Sequence, residues 1–581
     1  MFKLFKRFRA VDWLVVLAIV GFVVAQVYCD VTMPDYSAKI FDRIRESATT
    51  REILGTGGIM LAYAAGSMLC TVIVGYLATW LSVKFSQTLR RALFSKVHSF
   101  SFGEINKFST ASLITRSTND VQQVQMAFMM LFRMAIAAPV TAIWAISKIS
   151  ASSVELTLAS GAWIVFLIAF LSLAIGFALP KFKSIQKLTD KLNGVTRENL
   201  TGLRVVKAYN ADEYEQAKFE KVNKDVTKTN LFVNRIMGFM FPIMFFIMNG
   251  ISLTVYWLGA GLINDGALDY PTMMAFSMLV MQILMAFMML IMLFVIVPRA
   301  AVAAKRVNEV LDTKLTIVDS EKPQRLITQG EIEFKNVGFK YPDADGYVLK
   351  DISFKVNQGE TVAIIGSTGS GKSTLINLVP RFYDATEGEV LVDGVDIKLV
   401  KQEDLRSKLG YVPQKGVLFS GTVQENIAFG DRSVLGKDIA DAATTAMADE
   451  FIRNMPGQYG AEIAQRGRNV SGGQRQRLSI ARAVAGKPEI YIFDDSFSAL
   501  DYKTDKAVRE NLKEYAQGAT SLIVAQRIGT IMDADKIIVL EQGRIAGQGT
   551  HRELLETCDV YREIALSQLT AAELGIGNSV G

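Results

Sequence analysis

Six apolar runs dominate the first half of the chain: roughly Val11–Tyr28, Ile53–Leu81, Ala127–Ile149, Val154–Leu179, Ile236–Ile263 and Met273–Val297. Each is near or above the ~20 residues a helix needs to cross a bilayer core. Lipid offers the backbone no hydrogen bonds, so the runs are predicted to be helices. The segments between them alternate in kind. Ser150–Ser153 and Asn264–Pro271 are short and lack Lys and Arg, whereas Ser82–Met126 and Pro180–Arg235 are long and basic. In the second long segment Ile185, Leu188, Leu192 and Val195 recur three or four apart, which predicts helices running on beyond the membrane. Past residue 326 the pattern changes to short apolar strands broken by Gly-rich turns.

Composition sharpens this division. Half of the 581 residues are hydrophobic and 21% are charged, which excludes a largely disordered chain. Residues 1–298 carry 28 Lys and Arg against 18 Asp and Glu, a net of +10; the remainder carries 35 against 39, a net of −4. A basic excess confined to the apolar half belongs to membrane loops rather than to nucleic-acid binding. By the positive-inside rule the N-terminus (Lys3, Lys6, Arg7, Arg9), both long loops and the C-terminal half face the cytoplasm. The opening MFKLFKRFR reads as a basic interfacial segment leading into a retained first span. Cys29, Cys70 and Cys558 are too scattered for a disulfide framework or a zinc site. With His98 and His551 the only histidines, a histidine-rich metal site is excluded.

The strongest chemical signal is a strand pattern, Thr361–Ile365, running straight into Gly366-Ser367-Thr368-Gly369-Ser370-Gly371-Lys372-Ser373, with Thr374 next. This is a G-x-x-x-x-G-K-[ST] phosphate-binding loop. Its glycines let backbone N–H groups close around phosphates, Lys372 supplies positive charge, and Ser373 is placed for Mg²⁺. A helix beginning here points its positive end at the same phosphates. Ile490–Asp494 is an apolar strand ending in an acid, which suits the second Mg²⁺-coordinating position.

Val470-Ser471-Gly472-Gly473-Gln474-Arg475-Gln476-Arg477, ahead of Asp494, is similar to the signature of the ATP-binding-cassette (ABC) transporter family. Thr115–Val121 and Thr201–Tyr209 resemble the loop motifs of that family's exporters. The resemblance covers nearly the whole chain. It implies a transmembrane bundle of six long helices with cytoplasmic extensions, fused to an α/β P-loop cassette with a helical subdomain. The expected division is a transmembrane domain at 1–298, a linker at 299–325, a nucleotide-binding domain at 326–575 and a tail at 576–581. It further implies ATP and Mg²⁺ as cofactors and Tyr341 as the ring that stacks on adenine. Gln414 would reach Mg²⁺ with Ser373 and Asp494, and Ser498–Asp501 would be the D-loop. Ser471, Gly472, Gly473 and Gln474 would act in trans on the ATP of another chain, and the two long loops would carry short coupling helices.

Two positions depart from the family. Asp495 stands where a Glu usually polarises the attacking water. It is one methylene, roughly 1.5 Å, shorter, and a shift of about 1 Å in a positioning group can cost on the order of 10²-fold in rate. Gln526 stands where a switch histidine usually meets the γ-phosphate; glutamine can hydrogen-bond but carries neither a proton nor a charge. Both changes fall on hydrolysis and spare binding. The expectation is a slowly hydrolysing site in one subunit of a heterodimer, whose homologous partner keeps the Glu and His.

For the cargo, Met274, Met278, Met281, Met285, Met288 and Met292 follow one face of the sixth run, and Met237, Met240, Met244 and Met248 line the fifth. Methionine suits promiscuous apolar recognition and equally suits helix packing. Arg133, Lys148, Asn249 and Gln282 are polar positions in or at the ends of apolar runs. Arg133 and Lys148 read as snorkelling side chains; Asn249 and Gln282 suit interhelical bonding or substrate contact. The leading reading is ATP-driven export of hydrophobic drugs or lipids across a bacterial inner membrane. The alternatives are an ATP-gated channel or regulatory subunit, and a lipid or peptide exporter working as a homodimer.

Overall fold

The computed structural model describes residues 3–574 except 4, 5, 328, 431, 432 and 572, and omits the side chains of 175, 179, 183, 241, 294 and 295. The expected tail at 576–581 and part of the basic N-terminal segment lie outside the described residues. The chain divides into two compact units: residues 1–96 with 111–312, and residues 97–110 with 313–581.

The first unit is built from six helices long and apolar enough to cross a membrane. They are α1 (Ala10–Arg45), α2 (Thr50–His98), α5 (Val121–Ser152), α6 (Val154–Thr201), α8 (Asp212–Asn264) and α9 (Tyr270–Leu311). Between them lie the short helices α3 (Phe102–Phe108), α4 (Thr110–Thr115) and α7 (Leu203–Ala208). At about 1.5 Å per residue, the 53 residues of α8 span roughly 80 Å, far more than a bilayer core. The excess is the helical continuation that the loop periodicity predicts. The segment expected as a linker is helical as far as Leu311, because Ala300, Ala303, Ala304, Val307 and Val310 keep a helical stripe buried.

Packing inside this unit is uneven. Helices α5 and α9 meet through Ala138, Ala142 and Ala286, small residues that let backbones approach where lipid supplies no hydrophobic drive. Helices α6 and α8 form a separate pair. Trp163 Nε1 donates to Thr254 Oγ1 at 3.0 Å, and its ring fills the space where a Cβ on Gly250 would sit at 2.6 Å. Lys148 does not simply snorkel: its ammonium pairs with Asp35 and donates to the Val31 carbonyl at 2.9 Å. A π-helical turn at Arg116–Asp120 presents two ion pairs to α9. Arg306 meets the fully buried Asp120 at 2.5 Å, and Arg116 meets Glu309 at 2.9 Å.

In the second unit β1 (Ile332–Phe339), β2 (Leu349–Val356), β4 (Glu387–Val392) and β5 (Val395–Asp396) form an antiparallel sheet in the order β2-β1-β4-β5. The other main sheet runs β12-β11-β3-β10-β9-β6. Its strands are β3 (Thr361–Gly366), β6 (Leu409–Val412), β9 (Ile490–Asp494), β10 (Thr520–Val524), β11 (Lys536–Glu541) and β12 (Arg544–Gly549). Its central strands are parallel and almost wholly apolar, as strands buried on both faces must be. A two-stranded ribbon, β7 (Gly421–Thr422) with β8 (Glu462–Ile463), belongs to the helical part.

Helix α3, from the first long loop, is part of this second unit. Glu104 is 4% exposed and holds four donors. Its Oε2 accepts from Ser101 N at 2.6 Å and Ser101 Oγ at 2.5 Å, closing a capping box. Its Oε1 accepts from Thr316 N at 2.8 Å and Thr316 Oγ1 at 2.6 Å. Burial alone would raise this carboxyl, but the bonds from Ser101 and Thr316 hold it below the usual carboxylate value. Glu104→Ala strands two backbone N–H groups and should cost about 2 kcal/mol. Glu104→Gln keeps one carbonyl oxygen and should cost less; thermal unfolding of the purified chain ranks the two.

Candidate functional site

Strand register assembles the site. In the parallel sheet Val524 lies opposite both Asp494 and Ile364, so β3, β9 and β10 end side by side. The loop after β3, the acids ending β9 and the turn after β10 therefore emerge at one edge, where open α/β sheets bind ligands. A cavity of about 370 Å³ opens there, lined by Thr368, Gly369, Gly371, Lys372, Ser373, Thr374, Gln414, Asp495 and Gln526, with Val348 and Val524.

The loop itself depends on glycine. A Cβ on Gly366 would sit 2.1 Å from the Leu540 carbonyl oxygen. Gly371, at φ +100°, turns the chain into α10 (Lys372–Leu378) and has Leu349 where a Cβ would project. Ser370 is 2% exposed and its Oγ has no hydrogen-bond partner. Lys372 Nζ donates to the carbonyls of Gly366 and Ser367, both at 2.8 Å. Burial pushes this ammonium below its usual value, with Asp495 and Asp494 pulling the other way. A cradle of backbone N–H groups, an orphaned hydroxyl and a desolvated lysine fits a polyphosphate.

Asp494 and Asp495 are each 6% exposed. Ser373 Oγ donates to Asp494 Oδ1 at 2.7 Å. Burial pushes the Asp494 carboxyl up; the Ser373 bond and Lys372 oppose this and the neighbouring Asp495 adds to it. Among the described residues no cluster of three His, Cys, Asp or Glu could hold a metal unaided. One hydroxyl and one carboxylate beside a phosphate loop is nonetheless the sparse oxygen set Mg²⁺ accepts, since it keeps waters and phosphate oxygens. Ser373 and Asp494 would hold it, and the bound ion would supply charge at the phosphates.

Asp495 follows on a left-handed turn, φ +48°, with its N–H bonded to Val524 O at 2.9 Å. Its Oδ2 accepts two side-chain amides: Gln526 Nε2 at 2.8 Å and Gln414 Nε2 at 3.2 Å. The two substituted positions thus touch each other, and Asp495 also touches the loop glutamine.

The other residues singled out in the sequence fall nearby or apart. Tyr341 bonds Thr374 Oγ1 through its hydroxyl at 2.9 Å and meets Tyr383 edge-on at 5.3 Å. Ser471 N-caps α11 (Gly472–Ala485): its Oγ accepts from Gln474 N at 3.2 Å, and Gln474 Oε1 accepts from Ser471 N at 2.9 Å. None of Ser471, Gly472, Gly473 and Gln474 lines the phosphate cavity. Asp501 caps the following helix through Thr504 at 3.0 Å.

Sequence reasoning missed two connecting residues. Gln476, 2% exposed, accepts from Gly416 N at 3.0 Å and donates to Pro413 O at 3.3 Å, tying α11 to the segment that carries Gln414. Tyr383 packs on Tyr341 and accepts Asn106 Nδ2 of α3 at 3.3 Å, while the rings of Phe102 and Phe382 meet at a tilt with centroids 4.8 Å apart. The position of Gln476 inside the signature run was the available signal for the first; nothing in the sequence marked Tyr383.

Comparison with known proteins bears on this arrangement. A family model described as the ABC transporter transmembrane region matches residues 15–287, and one described as ABC transporter matches residues 349–498. An uncharacterized ABC transporter ATP-binding protein of Mycobacterium tuberculosis is 37% identical over 553 residues, 94% of each chain. One of Bacillus subtilis is 36% identical, covering 93% of this chain and 94% of its own. A putative multidrug export ATP-binding/permease protein of Staphylococcus aureus is 34% identical, covering 84% and 85%. A bacterial Atm1-family ABC exporter with ATP bound shares the fold, with a TM-score of 0.79 over 99% of this chain and 100% of that one, at 24% identity.

The charge on Asp494 predicts an opposite pair of effects. Asp494→Asn keeps the Ser373 acceptor and removes a poorly compensated buried charge. It should stabilise the nucleotide-free protein by about 1 kcal/mol and remove the extra stabilisation that Mg²⁺-ATP gives the wild type. Thermal unfolding with and without Mg²⁺-ATP reads both.

Proposed function

The chain belongs to the ABC transporter family, as an exporter-type half-transporter and multi-pass membrane protein with a cytoplasmic nucleotide-binding domain, and on that premise we propose that its own ATP site hydrolyses slowly. One observation carries this reading: Asp495 Oδ2 already accepts the amides of Gln526 and Gln414. A base for an attacking water needs a free lone pair aimed at that water. Here one oxygen of the shorter carboxylate, Oδ2, is bonded to the cavity wall, and the residue in the switch position is one of the two that bond it. Residues that bind rather than hydrolyse are intact: the glycine cradle, Lys372, Ser373 and Asp494.

A slow site is useful when its signature completes a faster one. Ser471 and Gln474 close a full capping box at the start of α11, so the signature that this chain offers is well formed. Helix α7 supports a second chain as well. None of its residues is buried, and Val205 and the adjoining Tyr209 are 61% and 81% exposed. The partner we infer is a homologous half-transporter with Glu and His at the two altered positions. The cargo we infer is hydrophobic or amphiphilic, drug or lipid. Met278, Met285 and Met292 of α9 stay exposed in this chain while the opposite face of the helix is buried; the name of the Staphylococcus aureus relative points the same way.

Purified alone, the chain should bind Mg²⁺-ATP and turn it over slowly. Asp495→Glu with Gln526→His should raise steady-state turnover on the order of tenfold or more. Turnover by the unaltered chain equal to that double variant would refute the slow site. For the cargo, Met281→Ala and Gln282→Ala should each reduce transport of at least one hydrophobic dye in inverted vesicles. No change for any dye tested would remove α9 from the pathway.

A further inference from the structure

Among the described residues, an acid of the first membrane-spanning helix has no ion-pair partner. Two ion pairs bracket α1: Asp12 with Lys84 at 2.9 Å near its start, and Asp35 with Lys148 farther along. Between them stands Asp30. It lies eighteen residues beyond Asp12, about 27 Å of helix. That distance is less than the thickness of a hydrocarbon core, about 30 Å. Asp30 is half-buried. Ser67 of α2, itself 9% exposed, donates its hydroxyl to Asp30 Oδ1 at 2.5 Å. Gln282 of α9 donates its amide to the Asp30 main-chain carbonyl at 2.8 Å. Among the described residues, no Lys or Arg pairs with Asp30.

Gln282 adds a second acceptor. Its Oε1 is buried and has no hydrogen-bond partner. Three helices thus converge on a carboxylate and an amide oxygen, with one hydroxyl already spent on orientation. Such a cluster is expensive in a membrane unless a ligand with positive charge and N–H donors completes it. The surroundings suit a greasy ligand: Met281 adjoins Gln282 on α9, and Met278 and Met285 beside it are exposed.

We propose that Asp30, Ser67 and Gln282 form the polar end of a substrate site for a lipophilic ammonium ion, with Asp30 as its counter-ion. Ser67 orients the carboxylate, Gln282 accepts an N–H, and the methionine face of α9 takes the hydrocarbon body. The proposal rests on the hydrophobic-export reading and narrows it to amines.

The test compares two molecules of one shape, 1-aminoadamantane and 1-hydroxyadamantane, binding to the full chain in lipid nanodiscs at pH 7. The wild type should bind the amine about tenfold more tightly than the alcohol. Asp30→Asn should bring the amine to the level of the alcohol and leave the alcohol unchanged. Asp30→Glu should retain the preference, as should Asp35→Asn, which removes the same charge from the paired neighbour. An amine preference that survives Asp30→Asn overturns the proposal. Binding of both compounds equally by the wild type overturns it and leaves hydrophobic export standing; binding of neither overturns both. A second measurement needs no variant: dicyclohexylcarbodiimide labelling of Asp30 in the wild type, read by peptide mass spectrometry. The amine should slow it and the alcohol should not; equal rates with both also overturn the proposal.

Discussion

Asp494 is buried at the end of β9 with one hydroxyl bond and one nearby ammonium to set against its charge. Most of the cassette can be understood as the structure needed to keep that carboxylate there. Strand β10 lies between β3 and β9, paired to both in a register that fixes where their ends fall. The glycines at the end of β3 and after it bring Lys372 and Ser373 within reach, and the close approach of Gly366 to Leu540 leaves no room for a side chain there. A carboxylate this poorly compensated is costly in the free protein and becomes favourable once a hard cation and phosphates arrive. The site is thus built for a bound state that the polypeptide alone does not balance.

The membrane half faces the opposite economy of charge. The apolar stretches of its helices carry few ionisable groups, and several acids in this half are paired one by one. Asp12 meets Lys84, Asp35 meets Lys148, and Asp120 meets Arg306 on a π-turn. Small residues bring α5 and α9 together, and an indole seats α6 on α8. The apolar surface that remains outside, such as Leu54, Leu61 and Leu69 on α2, makes sense only against lipid.

How much of this was legible in the sequence follows from the distances involved. The six spans and their extensions were readable because helical periodicity and run length are local properties. The phosphate loop was readable because its residues are contiguous and the strand before it is apolar. The links that connect the parts were not. Glu104 lies 212 residues from Thr316 in the chain, and Tyr383 lies 277 from Asn106. Lys148 read as a snorkelling side chain until Asp35 on another helix supplied its partner. The Asp495–Gln526 contact joins two positions that each stood out alone, but only the β9–β10 register brings them together. Patterns along the chain report which face is buried; which far residue meets it is decided by packing.

The Asp495–Gln526 bond also has a genetic side. Asp and Glu codons differ only in the third base, and so do those of Gln and His. Two single-base changes therefore separate this site from the Glu and His of its family. Because the two side chains bond each other, either change alone pairs a new residue with an old one across the cavity. A longer Glu would press toward Gln526, or a His would face an Asp that cannot reach as far. The path between the two forms of the site is short in bases, yet each midpoint carries a mismatched pair.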